Sequence, residues 1–246
     1  NMALKELRCL FRDPQVRATI LVTPLAVLPV LAMARFSEFG EARLMLASFA
    51  VPLAAVVGGS VFFNTFGMER EAVAATFLQP TDRRVVLMGK NLGDGLVLLL
   101  VVGPVVLLTA LVVEDWRVAL GGLMALALAG PPVGAIANYW AIEFPFRTPK
   151  RGENPFQAGF LAMWVIGLVH MLGVGVAGLL AAPAMLLVLL GFLLAGGLYL
   201  PVTFLLAAGY SALVYWLLLG GAAQRLIDSE PDILQAVRTK TRRWAG

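Results

Sequence analysis

Ionisable side chains gather in one polar stretch of this chain, residues 64–91, which reads NTFGMEREAVAATFLQPTDRRVVLMGKN. Neighbouring carboxylates and guanidinium groups can bind a charged protein surface or phospholipid headgroups. The stretch contains no histidine or cysteine, and it lacks the nucleophile and metal-ligand sets that catalysis requires. We therefore predict that it contacts another molecule and performs no catalysis. The charged residues of the stretch are Glu69, Arg70, Glu71, Asp82, Arg83, Arg84 and Lys90.

Two further ionisable residues, Asp94 and His170, fall within apolar runs. Such residues are functional hypotheses by default when they lie in a membrane. Asp94 is close to the start of its run and can also simply reach the interface. His170 has no second titratable group in its run, so a hydrogen bond between helices explains it better than a proton relay. Both are kept as possible intramembrane polar sites.

No catalytic, cofactor-binding or metal-binding residue is predicted. The pair Gly89-Lys90 lacks the upstream glycine of a phosphate-binding loop, and Asn91 stands where that loop has Ser or Thr. The single Cys9 excludes an internal disulfide and a thiolate cluster, and the single His170 excludes a multi-histidine site. The chain is therefore not expected to be an enzyme by itself.

The composition is that of a membrane protein. Of the 246 residues, 60% are hydrophobic and only 14% are charged, with a mean hydropathy of +0.86, whereas soluble chains carry about 25% charged residues. Apolar runs of about 20 residues recur, as helices that cross a bilayer require. The net charge of +4 is better explained by basic residues on the cytoplasmic side than by nucleic-acid binding. We predict an all-α polytopic membrane protein in a lipid bilayer, with no nucleic-acid partner.

The chain is expected to form a single transmembrane domain, residues 1–246, with six membrane-spanning helices. An amphipathic interfacial helix, 1–16, precedes the first span because its leucines recur at helical spacing opposite charged residues. The apolar stretch 182–201, edged by prolines and broken by glycines, is either a re-entrant segment before the last span or a seventh span. The predicted spans are 17–35, 43–66, 92–113, 117–139, 158–181 and 202–223.

The distribution of Lys and Arg favours six spans. With a cytoplasmic N-terminus, 16 of the 19 basic residues lie inside and only Arg35, Arg43 and Arg117 lie outside, as the positive-inside rule demands. A seventh span would place the basic tail, 224–246, outside. We therefore expect both termini and the loop 67–91 to be cytoplasmic.

The loop 67–91 carries the signals of two short helices. Glu69 and Glu71 fall in the first turn of one helix, where acidic groups complement the helix dipole, and Pro80 stops that helix. Asp82 can cap a second helix that leads into the third span. The alternative is an ordinary solvated loop whose arginines hold phospholipid headgroups.

The order of these residues resembles a known pattern. The runs FGMERE at 66–71, FLQP at 77–80, Arg83-Arg84 and GKNL at 89–92 are similar to the loop between the second and third spans of type-2 ABC exporter permeases. The N-terminal KELRCLFRDP resembles the amphipathic connecting helix with which such permeases begin. The stretch 138–156, NYWAIEFPFRTPKRGENPF, looks like the segment after the fourth span in one bacterial subset of them.

The resemblance implies a permease subunit that pairs with a second copy or a homologous half and rests on two ABC ATPase subunits, which bind the ATP. In such permeases the loop after the second span is a coupling helix, and re-entrant helices lie between the fifth and sixth spans. Carried onto this chain, Glu69, Arg70 and Glu71 would contact the ATPase, supported by Arg83 and Arg84. The family often has glycine-threonine after the acidic pair, whereas Ala72-Val73 stands here. The implied location is a bacterial inner membrane, and the substrate is not indicated.

Three other functions stay open from the residues alone. An ion-gradient-driven secondary transporter would need intramembrane charges, for which only Asp94 and His170 are available. A lipid-modifying membrane enzyme would need a nucleophile or metal set, which is missing. A non-transporting membrane anchor is the third. Small residues of the fifth span could pack spans within one subunit or form a dimer seam; they are Gly167, Gly173, Gly175 and Gly178.

Overall fold

The computed structural model shows five long helices. It describes residues 8, 11–12, 14–37, 50–56, 58–59, 62–146, 148, 160–194 and 199–238, and no strand occurs among them. Residues 50–56 and 58–59 are helical, and short helical turns follow between Phe62 and Phe77. The long helices are α1 (Pro14–Phe36), α2 (Arg83–Val113), α3 (Trp116–Glu143), α4 (Phe160–Leu193) and α5 (Tyr199–Arg238).

All five helices are long and apolar enough to cross a membrane. Their outward faces carry exposed leucines such as Leu21, Leu111 and Leu179, which a hydrocarbon solvent accepts without cost. The described part of the protein is all-α, with five candidate membrane-spanning helices. The predicted class of an all-α integral membrane protein is therefore confirmed, whereas the six predicted spans are not.

The two ends of the helix bundle are identified by ion pairs. At one end Arg35, in the last turn of α1, lies 3.1 Å from Glu114, in the turn between α2 and α3. At the other end Arg83 at the start of α2 lies 2.5 Å from Glu230 in α5, and Glu143 at the end of α3 pairs with Arg225. We call the second of these the charged end and the first the opposite end.

Three apolar clusters hold the helices together. The largest joins α1 to the middle of α2, where Val97, Val101 and Val105 are buried. A second cluster joins α3, α4 and α5 towards the opposite end and includes Leu128 and Val188. The third lies at the charged end and joins α2, α3 and α5 to the short helical turns after residue 62.

Helix boundaries follow from caps. The side chain of Asp82 accepts the backbone N–H of Arg84 at 2.8 Å, so α2 begins at Arg83, in agreement with the predicted cap. Its other end is closed by Glu114, which has the left-handed conformation (φ 63°, ψ 29°). Asp115 then caps α3 by accepting the N–H of Arg117. The helix α2 is therefore nine residues longer at its start than the predicted span 92–113.

The stretch 182–201 does not form a separate element in the described residues. Residues 182–193 are the last turns of α4, and 199–201 begin α5. Pro183 is tolerated because neighbouring helices can satisfy the freed backbone in a membrane protein. Gly191 is not a break: a Cβ there would lie 2.2 Å from Thr203 Oγ1, so the glycine permits close packing of α4 on α5. The predicted re-entrant segment is not confirmed.

The last helix, α5, continues for 15 residues beyond the predicted span 202–223, so the start of the predicted tail is helical. Several predicted parts lie wholly or partly outside the described residues. They are most of the interfacial helix 1–16, the first part of the span 43–66, residues 149–156 of the loop after α3, and residues 239–246 of the tail.

Candidate functional site

The charged end carries a compact folded stretch, residues 62–82, which we call the connecting segment. It is helical from Phe62 to Phe77, but in four short pieces: Phe62–Asn64, Thr65–Glu69, Arg70–Ala72 and Val73–Phe77. The predicted continuous first helix is thus interrupted at Arg70, whose backbone has φ 56° and ψ −131°. A non-glycine residue in that region is strained and requires support from its surroundings.

The support comes from the chain just after α3. The side chain of Asn64 donates to the carbonyl of Phe146 at 2.9 Å and accepts its N–H at 3.2 Å. Thr148 donates to the carbonyl of Gly67 through both N–H and Oγ1, and Arg70 Nε donates to Thr148 O at 3.1 Å. These bonds fix the first half of the connecting segment to the end of α3.

Gly67 is required by this contact. A Cβ at that position would lie 1.9 Å from the Phe146 carbonyl oxygen and 2.2 Å from Asn64 Oδ1. Any side chain would separate the connecting segment from the chain after α3. The Phe66-Gly67 pair of the sequence pattern therefore has a packing reason here.

Glu69 points into the protein and forms an ion pair with Lys90 of α2. The Lys90 side chain is 0% exposed and that of Glu69 is 14% exposed. The Phe66 ring lies 5.2 Å from Lys90 Nζ, where its electron-rich face can stabilise the ammonium group. The second Glu69 oxygen, Oε2, is buried with no hydrogen-bond partner in the described part of the protein. Asp94, also buried, is one helical turn beyond Lys90 on the same face of α2.

Arg83 holds the second half of the connecting segment. Its guanidinium group donates to the carbonyls of Phe77 at 2.8 Å and of Gln79 and Thr81 at 3.2 Å. These carbonyls lie where the chain leaves helical geometry, so they need a donor from elsewhere. The Nε atom of Arg83 donates to Glu230 at 2.5 Å. The guanidinium carbon also lies 5.7 Å from the centre of the Phe77 ring.

Apolar packing completes the attachment. Phe66, Val73 and Phe77 are buried against α5 and the ends of α2 and α3. Their partners in this cluster are Leu87, Ala141, Ile142, Leu219, Ala222, Ala223, Leu226, Ile233 and Val237.

The solvent side of the connecting segment is its tip. Leu78 is 85% exposed, and Gln79, Pro80 and Asp82 beside it are exposed as well. The tip therefore presents an apolar side chain at the surface of the charged end, where a partner can reach it.

The predicted site residues therefore divide into two groups. Glu71 and Arg84 are exposed, whereas Glu69, Arg70 and Arg83 are half-buried and bound within the chain. The structure does not bring all five onto one surface.

Several residues of the site are absent from the sequence prediction. Lys90 is noted in the sequence as part of the rejected phosphate-loop pair and of the family pattern, and Glu230 is not singled out. Leu78 appears only within the family pattern. Glu143 at the end of α3 pairs with Arg225 of α5. The burial of Lys90 is the feature that would indicate its pairing with Glu69, and burial cannot be deduced from a single sequence.

His170 lies in α4 between aromatic rings. Its Nδ1 contacts the carbonyl of Ile166 at 2.9 Å, one turn back in the same helix, and the rings of Phe63 and Phe146 approach edge-on. A carbonyl is an acceptor, so Nδ1 carries the proton. The Nε2 atom is buried with no hydrogen-bond partner among the described residues. The expected hydrogen bond between helices is thus replaced by one within α4.

No group of three or more histidine, cysteine or carboxylate residues that could hold a metal occurs in the part of the chain that the structure describes. No protein-family model, curated protein or solved structure matches the chain.

Proposed function

We propose that this chain is the transmembrane permease subunit of an ATP-driven ABC exporter. Separate ATPase subunits hydrolyse the ATP, and a second permease copy or homologous half completes the pathway for a hydrophobic or amphipathic substrate. The observation that carries the proposal is the connecting segment. It is folded, bound to the ends of α2, α3 and α5, and presents an exposed leucine outside the apolar part of the helices.

An energy-coupling contact must be stiff and joined to the helices that move, because a flexible loop would absorb the displacement. The connecting segment meets both conditions. Lys90 and Arg83 bind it to α2, and Thr148 binds it to the chain after α3. Apolar packing of Phe66, Val73 and Phe77 joins it to α5.

In this proposal the ATPase is contacted by Leu78 at the tip. Glu71 and Arg84, which are also exposed, are the charged residues available for further contacts. Glu69, Arg70 and Arg83 act from beneath, by holding the segment in shape. The complementary partner surface is an apolar recess with charged groups at its rim, since such pockets supply most of the binding energy at an interface.

The proposal includes six passes through a bacterial inner membrane, with the charged end in the cytoplasm. The C-terminal end of α1 is at the opposite end, through Arg35 and Glu114, whereas Glu69 is at the charged end. In the proposal the sixth pass lies between Phe36 and Phe62, where residues 50–56 and 58–59 are helical. The concentration of basic residues at the charged end favours a cytoplasmic location.

The test is to purify the tagged chain from its native membranes in mild detergent and to measure ATP hydrolysis that copurifies with it. We expect magnesium-dependent ATP hydrolysis with the wild-type chain. Leu78→Asp should reduce the copurified hydrolysis by about 30-fold or more, because loss of a central apolar contact costs about 2 kcal/mol or more.

Ile227→Asp is the matched control, since Ile227 is a half-exposed aliphatic residue of α5 outside the connecting segment. Its copurified hydrolysis should equal that of the wild type. The proposal is wrong if the wild-type chain brings down no ATP hydrolysis, or if Leu78→Asp retains all of it. Glu69→Ala is a poor test, because it removes the counter-charge that Glu69 gives the buried Lys90 and so perturbs the fold itself.

A gradient-driven secondary transporter is the second candidate function. The observation in its favour is Asp94, a buried carboxylate in the candidate membrane-spanning helix α2, since intramembrane charges are typical of ion-coupled transport. Substrate movement in ATP-free proteoliposomes under an imposed proton or sodium gradient would favour this function and exclude the first.

A further inference from the structure

The C-terminal part of α5 extends well past the membrane. The helix has 40 residues, which corresponds to about 60 Å, whereas the hydrocarbon core is about 30 Å thick. Residues 224–238 carry charged side chains that hydrocarbon does not accept, including Arg225, Asp228 and Asp232. Because the helix is continuous, this extension moves with the last span.

One face of the extension is directed at the connecting segment. Leu226, Ile233 and Val237 are fully buried there, at spacings that place them along one side of a helix. Glu230 falls within this apolar stripe, so a single carboxylate stands among aliphatic side chains. Such a position is costly for a charge unless a partner compensates it.

The partner is Arg83, and Arg83 in turn holds the tip. The Arg83 and Glu230 side chains are only 12% and 23% exposed. The same guanidinium group binds the carbonyls of Gln79 and Thr81, next to Leu78. Apart from the cap at Asp82 and the turn's own backbone hydrogen bonds, these bonds are the attachments of the tip that the described residues show.

We propose that Glu230 is a positioning residue, which acts through Arg83 to hold the tip of the connecting segment on the extension of α5. Movement of the last span is thereby transmitted to the tip. The contact joins Glu230 to Arg83, which is 147 residues earlier in the chain. That the tip is a docking surface rests on the proposed function, whereas the positioning itself does not.

The test measures amide hydrogen exchange of residues 74–82 by mass spectrometry, on the full chain in lipid nanodiscs. Glu230→Gln keeps the size of the side chain and removes its charge. We expect exchange in 74–82 to be about tenfold faster, because the tip opens locally once Arg83 loses its counter-charge. The control is Glu143→Gln, which removes a different ion pair at the charged end, Glu143–Arg225, and should leave exchange in 74–82 unchanged.

A double-mutant cycle separates positioning from general weakening. If Glu230 acts through Arg83, Glu230→Gln should have no further effect on exchange in an Arg83→Gln background. Additive effects of the two substitutions, or unchanged exchange in Glu230→Gln, would overturn the inference. Should Glu230→Gln fail to fold, Glu230→Asp keeps the charge at a shorter reach, and unchanged exchange in that variant would overturn it equally.

Copurified ATP hydrolysis is measured on the same variants. Faster exchange in Glu230→Gln with no hydrolysis from the wild type would retain the positioning role and reject the ABC proposal. Unchanged amide exchange in Glu230→Gln, with ATP hydrolysis from the wild type, would reject the positioning role and retain the ABC proposal. The two ideas are therefore judged by different readouts.

Discussion

Of the four ion pairs described above, the one between Lys90 and Glu69 has the most deeply buried side chains. Removing an ammonium or a carboxylate from water costs several kcal/mol per ion, and only a well-made pair offsets that cost. The Phe66 ring adds a further favourable contact to the ammonium group. Removing the Glu69 carboxylate takes this counter-charge away from a fully buried ammonium group, and that loss costs more than the pair itself contributes.

We expect Glu69→Gln to destabilise the protein by about 3 kcal/mol, since loss of one partner of a buried pair costs about 3–5 kcal/mol. Thermal unfolding in detergent, followed by circular dichroism, measures the change. Glu71→Gln is the matched control: it alters a neighbouring carboxylate that is exposed, and the expected change is within about 0.5 kcal/mol. Equal effects of the two variants would contradict the assigned role of Glu69.

The helices pack closely where glycine replaces a side chain. Trp140 of α3 donates its Nε1–H to the carbonyl of Val169 in α4 at 3.0 Å, and its ring covers Gly173, where a Cβ would lie 2.8 Å away. No atom lies within 4 Å of a Cβ built on Gly167, Gly175 or Gly178. Of the four glycines noted in the sequence, Gly173 alone serves packing inside the described chain, and the other three face outward.

Gly173→Ala should therefore destabilise the contact between α3 and α4 by about 1–3 kcal/mol, as overpacking of a filled site does. Gly175→Ala, two residues away in the same helix but in open space, should be neutral or stabilise by up to about 1 kcal/mol, because alanine favours the helix. The midpoint of thermal unfolding compares the two variants, and a larger loss in Gly175→Ala would refute the packing assignment.

The whole molecule is polarised along the bundle axis. The ends of α3 and α5, the start of α2 and the connecting segment all meet at the charged end. At the opposite end a tight turn at Glu114-Asp115 joins α2 to α3. Among the described residues, the connecting segment therefore belongs to the charged end alone.

Cysteine labelling in intact cells can test that polarity, because Cys9 is the single cysteine of the chain. In a Cys9→Ser background, Trp116→Cys at the opposite end should react with a membrane-impermeant maleimide added to the cells. Leu78→Cys should react only after the membrane is permeabilised. Labelling of Leu78→Cys in sealed cells would reverse the proposed orientation, and Cys9→Ser alone gives the background signal.

The sequence determines the all-α membrane class of this protein, because hydrocarbon offers no hydrogen-bond partner to the backbone. Apolar runs long enough to span a bilayer leave few alternatives to helices, and the caps at Asp82 and Asp115 act through neighbours in sequence. Local chemistry of this kind does not depend on how the helices pack. The sequence also indicated the connecting segment, because its charged residues interrupt two apolar runs.

Only the tertiary structure decided which of those charges face inward. Glu69 and Glu71 are two residues apart in an acidic pattern, yet one is bound to buried Lys90 and the other is exposed. Arg83 and Arg84 divide in the same way. The directions of the two carboxylates depend on the strained turn at Arg70. The burial of Arg83 depends on Glu230, which is far along the chain. The same holds for Gly191, a helix breaker by local rules and a packing site once α5 lies against it, because burial is a property of contacts between distant residues.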